Sequence, residues 1–250
     1  MDHTQLVRSD VDGPIARITL CRPDVHNAQN LQVWEELRDI GRRLPGDVRC
    51  VILAGQGASF SSGIDLAVLS GRFLSELAQS PDNAADARLS EIQAAFEWLR
   101  RPDLVSIAAV QGHAIGAGLQ LALACDLRVL AADAQLRIGE PGLGLVPDLG
   151  GTKRLIETVG YSRALELSLT GRSVGAGEAM RVGLASIVVE NSELDDTVDD
   201  LAAALLAVPR NAAIETKALL QRAVTATSPD QLGAERAASL RQLRHHLDES

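Results

Sequence analysis

The sequence predicts an α/β fold with a parallel sheet and a helical C-terminal region. Three observations carry this. Strand-like and helix-like segments alternate up to about residue 190. From Leu194 onward every segment has helical spacing. Apolar residues make up 46% of the 250 residues and aromatics only 2%, so the core is built from Ala, Leu, Val and Ile.

Taken in order, "IARITL" (15–20) alternates as a strand, closed by Pro23. "NLQVWEELRDIGRRL" (30–44) opens on Asn30 as N-cap and repeats apolar residues at helical spacing. "CVILAG" (50–55) is a short buried strand. "QGASFSSGID" (56–65) is a Gly- and Ser-rich loop feeding a helix, "LAVLSGRFL", in which Asp65 reads as an N-cap. "ARLSEIQAAFEWLRR" (87–101) is helical and Pro102 stops it. "LVSIAAVQG" (104–112) and "DLRVLAAD" (126–133) are buried strands. Between them "GHAIGAGLQLALACD" (112–126) sets small residues directly before an apolar helix that carries Gln120. Small residues let the backbone approach a ligand, and a helix start offers unpaired N–H groups to it. The stretch 134–151 holds too much Gly and Pro for regular structure through its middle. Short helices follow at about 152–158, 162–169 and 176–182, then a last strand, "ASIVVE" (185–190). These readings divide the chain into an α/β core over 1–190 and a helical region over 191–250.

Several classes are excluded or disfavoured. The net charge of −9 argues against nucleic-acid binding. No apolar run reaches the roughly 18 residues that span a bilayer. The polar, acidic N-terminus is unlike a signal peptide, so a cytoplasmic protein is expected. The three cysteines, Cys21, Cys50 and Cys125, lack metal-ligand spacing, and no metal site is expected. "GRSVG" (171–175) matches a G-x-S-x-G nucleophile elbow, but helical spacing precedes it where an elbow needs a strand; Ser173 reads as a turn residue.

Five segments in order resemble the enoyl-CoA hydratase/isomerase (crotonase) family. They are "RPDVHNAQN" (22–30), "FSSGIDL" (60–66), "AAVQGHAIGAGLQLALACDLRV" (108–129), "AQLRIGEPGLGLVPDLGGTKRLIETVG" (134–160) and "LTGRSVGAGEAMRVGLASIVV" (169–189). The resemblance implies a crotonase-like spiral of ββα units, with C-terminal helices that pack in homotrimers, often paired into homohexamers. It implies an acyl-CoA thioester as ligand and no cofactor beyond the coenzyme A of the substrate. The implied oxyanion hole is the backbone N–H of Ile64 and of Ala117, flanked by substrate contacts at Ser62, Gly63, Asp65, Leu66 and Gly116. Preorganised donors aimed at a developing oxyanion are what enolate chemistry requires.

The two glutamates of the family's hydratases fall on Gln120 and Glu140. An amide cannot accept a proton at neutral pH, so a two-carboxylate hydration is disfavoured. Glu140 alone suffices for moving a double bond from the 3- to the 2-position, the favoured reaction. Hydration of a 2-enoyl-CoA and acyl-CoA binding without turnover are the alternatives. Asp148 falls where a dienoyl-CoA isomerase-like aspartate stands, and reads equally as a cap of the following helix. Arg22, His26 and Lys217 fall where the family places basic residues near coenzyme A.

Overall fold

The computed structural model of the protein describes residues 5–248. Nine strands and eleven helices follow one another among them. The strands are β1 (Val7–Asp12), β2 (Ile15–Leu20), β3 (Cys50–Gly55), β4 (Val105–Val110), β5 (His113–Ile115), β6 (Leu127–Ala131), β7 (Gln135–Arg137), β8 (Val174–Gly175) and β9 (Ile187–Val189). The helices are α1 (Leu31–Arg43), α2 (Leu66–Ser70), α3 (Arg72–Gln79), α4 (Asp82–Glu97), α5 (Ala117–Ala124), α6 (Gly151–Val159), α7 (Tyr161–Thr170), α8 (Ala176–Val182), α9 (Leu194–Leu206), α10 (Arg210–Ala223) and α11 (Ser228–Asp248).

The main sheet has the order β1-β2-β3-β4-β6-β9. All its pairings are parallel except β1 with β2. The central strands β3 and β4 are buried on both faces, which is why "CVILAG" and "VSIAAV" read as continuous apolar runs. One face packs against α1, α4 and α5 through Leu37, Phe96 and Leu121, with Leu99 of the turn after α4. The other is sealed by α9, whose Leu194, Val198 and Ala202 meet Ile52, Ile107 and Val129. A second, three-stranded sheet, β5-β7-β8, stands beside the first. It runs through the Gly- and Pro-rich segments, where the sequence pattern shows no strand.

Other departures have local causes. β1 carries one buried residue, Val7, so its pattern is that of a polar edge; the Glu36 carboxylate accepts from the N–H of Leu6 and of Val7 and fixes its start. The helix expected after Asp65 breaks at the extended residue Gly71 into α2 and α3. α4 starts at Asp82, five residues before the apolar pattern begins. Asn30 caps α1 as expected, its side chain accepting from Val33 N at 2.9 Å. The segment before Ser173 is the helix α7, which no nucleophile elbow allows.

α10 buries no residue and is held to the body by polar hooks. Lys217 Nζ donates to Arg101 O, Leu104 O and Asp126 Oδ2 at 2.6–2.8 Å. Gln221 donates to Arg100 O at 2.8 Å. No described helix is long and apolar enough to cross a membrane. Among the described residues no group of three or more His, Cys, Asp or Glu is placed to hold a metal ion. Burial pushes the Cys50 and Cys125 thiols up to about 12, so neither is a ready nucleophile.

Candidate active site

Two loops that are remote in sequence are zipped together at the C-terminal ends of the strands. Ser61 N donates to His113 O at 2.8 Å and Ile115 N to Ser61 O at 3.0 Å, a strand-like exchange. Beyond it the chain turns through Gly63 and Gly116, both at positive φ (94° and 52°). A Cβ on Gly63 would lie 2.5 Å from Ile115 O, and one on Gly116 would lie 3.2 Å from Glu140 Oε1. Only glycine combines that conformation with that proximity.

The turn presents two backbone donors. Ile64 and Ala117 line one cleft, and among the described residues neither N–H has an acceptor. Ala117 is the first residue of α5, so its N–H is one of the unpaired groups of a helix start. Ser61 holds the first loop in place: its Oγ donates to Asn27 O and accepts from Gln29 Nε2 and Gly63 N. Asn27 in turn donates to Gln56 O and Ser59 O from a left-handed conformation. These supporting residues lay inside the quoted segments, yet nothing in the sequence marks their partners.

The cleft has an empty volume of about 1010 Å³. Its wall is apolar, built by Phe73, Leu74 and Leu77 of α3, Ile92 of α4, and Val146 and Leu149 of the loop before α6. Polar side chains enter at three places: Ser62, Glu140 and Asp148. Glu140 is buried and begins a short 3-10 turn. Its Oε2 accepts from Gly139 N at 3.0 Å. Its Oε1 accepts from Gln120 Nε2 at 2.6 Å.

Gln120 is fully engaged in doing this. Its Oε1 accepts from Leu149 N at 2.9 Å and Gly151 N at 3.2 Å. The amide therefore caps α6, a helix whose N-cap, Gly150, offers no side chain. Those two donors fix the orientation of the amide, because the flipped form would set NH₂ against N–H. The capping alternative for Asp148 is thus not realised. Asp148 is reached by solvent from the cleft but hemmed in by apolar wall, and that desolvation raises its carboxyl above the ordinary 3.8, opposed only by its own N–H.

The structure brings Ser62, Gly63, Ile64, Leu66, Gly116, Ala117, Glu140 and Asp148 to this one cleft, with Gln120 directly behind Glu140. It does not bring the remaining expected residues there. Arg22 pairs with Asp65 at 2.8 Å and also donates to Ala28 O at 2.5 Å. Asp65 caps α2 by accepting from Ala67 N at 3.0 Å; that bond first, then Arg22, lowers its pKa. His26 turns its ring to Ser59 Oγ at 3.4 Å, which His113 also approaches at 3.2 Å. Lys217, on α10, has all three of its donors used within the chain.

Comparison with known proteins agrees with this layout. The family model described as enoyl-CoA hydratase/isomerase matches residues 10–249. The chain belongs to this family. A Thermobifida fusca YX protein, solved in complex with acetoacetyl-CoA, is 48% identical with a TM-score of 0.92 and covers 96% of each chain. A short-chain-enoyl-CoA hydratase from Clostridium acetobutylicum is 35% identical, the match spanning 76% of this chain and 71% of that one. A peroxisomal Δ(3,5)-Δ(2,4)-dienoyl-CoA isomerase from Arabidopsis thaliana is 34% identical over 87% of this chain and 81% of its own. Relatives of the enoyl-CoA hydratase/isomerase family thus include both hydratases and an isomerase, and the family defines the scaffold more narrowly than the reaction.

Proposed function

We propose that the protein binds an acyl-CoA thioester in this cleft and moves its double bond from the 3- to the 2-position. The thioester oxygen accepts from Ile64 N–H and Ala117 N–H. The Glu140 carboxylate removes a proton from C2, and the C–H electron pair passes into the thioester to give a dienolate whose O⁻ the two N–H groups stabilise. The protonated Glu140 then delivers that proton to C4. The enolate electrons return to form the C2=C3 bond as the old C3=C4 bond supplies the pair for C4–H. No water and no second base is consumed.

The observation that carries this reading is the engagement of Gln120. Its carbonyl is committed to the start of α6 and its NH₂ to Glu140. It positions a base and does not carry protons. Asp148 supports a second reading, in which it serves as the second carboxyl for hydration of a 2-enoyl-CoA or for migration across a longer diene. Binding without turnover is the third reading, tested alongside. Ser62, Gly63, Leu66 and Gly116 are proposed as substrate contacts. Arg22, His26 and Lys217 are proposed to reach coenzyme A only through a neighbouring copy or a rearranged side chain. A homotrimer or homohexamer is the proposed assembly.

The test offers purified protein 2-enoyl-, 3-enoyl- and dienoyl-CoA and follows hydration and bond migration, then repeats the series with Glu140→Gln. Migration that falls by about 10²–10⁴ in Glu140→Gln supports one-base isomerisation. Hydration by the unmodified protein without migration overturns it in favour of the second reading. Saturable acyl-CoA binding with neither reaction overturns it in favour of the third.

A further inference from the structure

Between the end of α4, the start of α6 and the end of α10, apart from the cleft, lies a polar recess with about 710 Å³ of empty space, open to solvent. Arg100, Arg101, Lys153 and Arg154 line it together with Glu97 and Glu157, and the end of α10 forms one side. Glu97, Arg100 and Arg154 also border a separate, water-sized void next to Gln120 and Gly150. The cations of the recess are unevenly matched. Arg101 is taken by Asp103 at 2.5 Å. Lys153 and Arg154 share one carboxylate, Glu157, at 2.7 and 3.1 Å. The Arg100 guanidinium has no hydrogen bond or ion pair among the described residues, although it is half-buried. Four cations thus line the recess with two carboxylates, Glu97 and Glu157, while Asp103 offsets Arg101 from beside it and Asp126 acts on Arg100, inside a chain of net charge −9.

Two features make this arrangement costly unless something binds. Lys153 and Arg154 occupy the first turn of α6, which has no acidic residue, so they sit at the end of the helix that repels cations. Burial first, and the neighbouring Arg154 charge second, lower the pKa of Arg100. An anion in the recess would relieve both. We infer that the recess is an anion-binding site, separate from the acyl cleft, in which Arg100 and Arg154 grip a phosphate-type oxyanion. Arginine offers paired N–H groups that match such oxygens bidentately. The inference concerns binding alone and stands independently of the reaction proposed above.

The experiment titrates inorganic phosphate, pyrophosphate and adenosine 5′-diphosphate into the full-length protein by calorimetry, at ionic strength held constant with sodium chloride. Arg100→Met, Arg154→Met and Lys153→Met are compared with the unmodified protein, each checked by circular dichroism and by acyl-CoA binding. Saturable binding of at least one of the three, weakened tenfold or more in Arg100→Met with acyl-CoA binding retained, supports the site. Preference for inorganic phosphate or pyrophosphate identifies a free oxyanion as the ligand, and preference for the diphosphate ester a nucleotide. Should Arg100→Met fail to fold, the same loss in Arg154→Met carries the test. Absence of saturable binding by all three, or equal affinity in the folded arginine variants, overturns it.

Discussion

The Gln120 amide sits 2.6 Å from Glu140 Oε1 and grips the first turn of α6 with its other end. One side chain thus ties the aim of the base to the seating of a helix. Gln120→Glu keeps the acceptors for Leu149 and Gly151 but sets two carboxylates at hydrogen-bond distance. They cannot both ionise cheaply, so at neutral pH they share a proton. Bond migration is expected to fall by about 10–100-fold at pH 7 on that account, with the acid limb of the rate–pH profile moving to higher pH. Hydration that appears only in this variant identifies a carboxylate at position 120 as the part the native cleft lacks for that reaction.

Gln120→Ala separates the two functions of the residue. Leu149 and Gly151 lose their acceptor in a buried place, which costs about 1–3 kcal/mol in urea unfolding. Glu140 loses one of its two donors, and the rate of bond migration on a 3-enoyl-CoA falls with it.

Gly63→Ala drives a methyl group to 2.5 Å from Ile115 O at a φ of 94°. The loop must retreat and take Ile64 N–H with it. Loss of one oxyanion donor corresponds to about a 10²–10³-fold drop in kcat, with KM for the acyl-CoA changing far less. A drop confined to KM contradicts the assignment of Ile64 as a transition-state contact.

Asp148 gives a pH signature in stability. Its folded pKa lies above the ordinary 3.8, so folding favours its protonated form. That favourable contribution is complete below 3.8 and is lost as pH rises through the folded value. Asp148→Asn removes the dependence. The variant is expected to melt higher than the parent at pH 7, with the difference closing below about pH 4.

Lys217→Met leaves Asp126 in a poorly solvated place with its counter-charge gone. Breaking a buried pair in this way costs about 3–5 kcal/mol. The cost should appear in urea unfolding, and acyl-CoA affinity measured well below the transition separates a hook for α10 from a contact with coenzyme A.

Most of the main sheet was legible because β2, β3, β4 and β6 are long enough to show their burial pattern. β5, β7 and β8 run for two or three residues each and exist because distant segments pair with them; so short a run has no period to detect. At the site, Gly63, Ile64, Ala117 and Glu140 stand in the quoted segments and meet in one cleft. The role of Gln120 as a cap was invisible, since its acceptor bonds reach 29 and 31 residues along the chain. The two residue types at positions 22 and 65 suggested a charge for a ligand and a cap. Only the fold shows that they neutralise each other.

The exchange between Ser61 and the 113–115 strand welds Ile64 and Ala117 to a common frame before any ligand arrives. On the reading proposed above, electrophile handling rests on this backbone frame and not on the side chains that project around it. Position 120 lies outside that freedom: whatever stands there must both aim Glu140 and seat the first turn of α6.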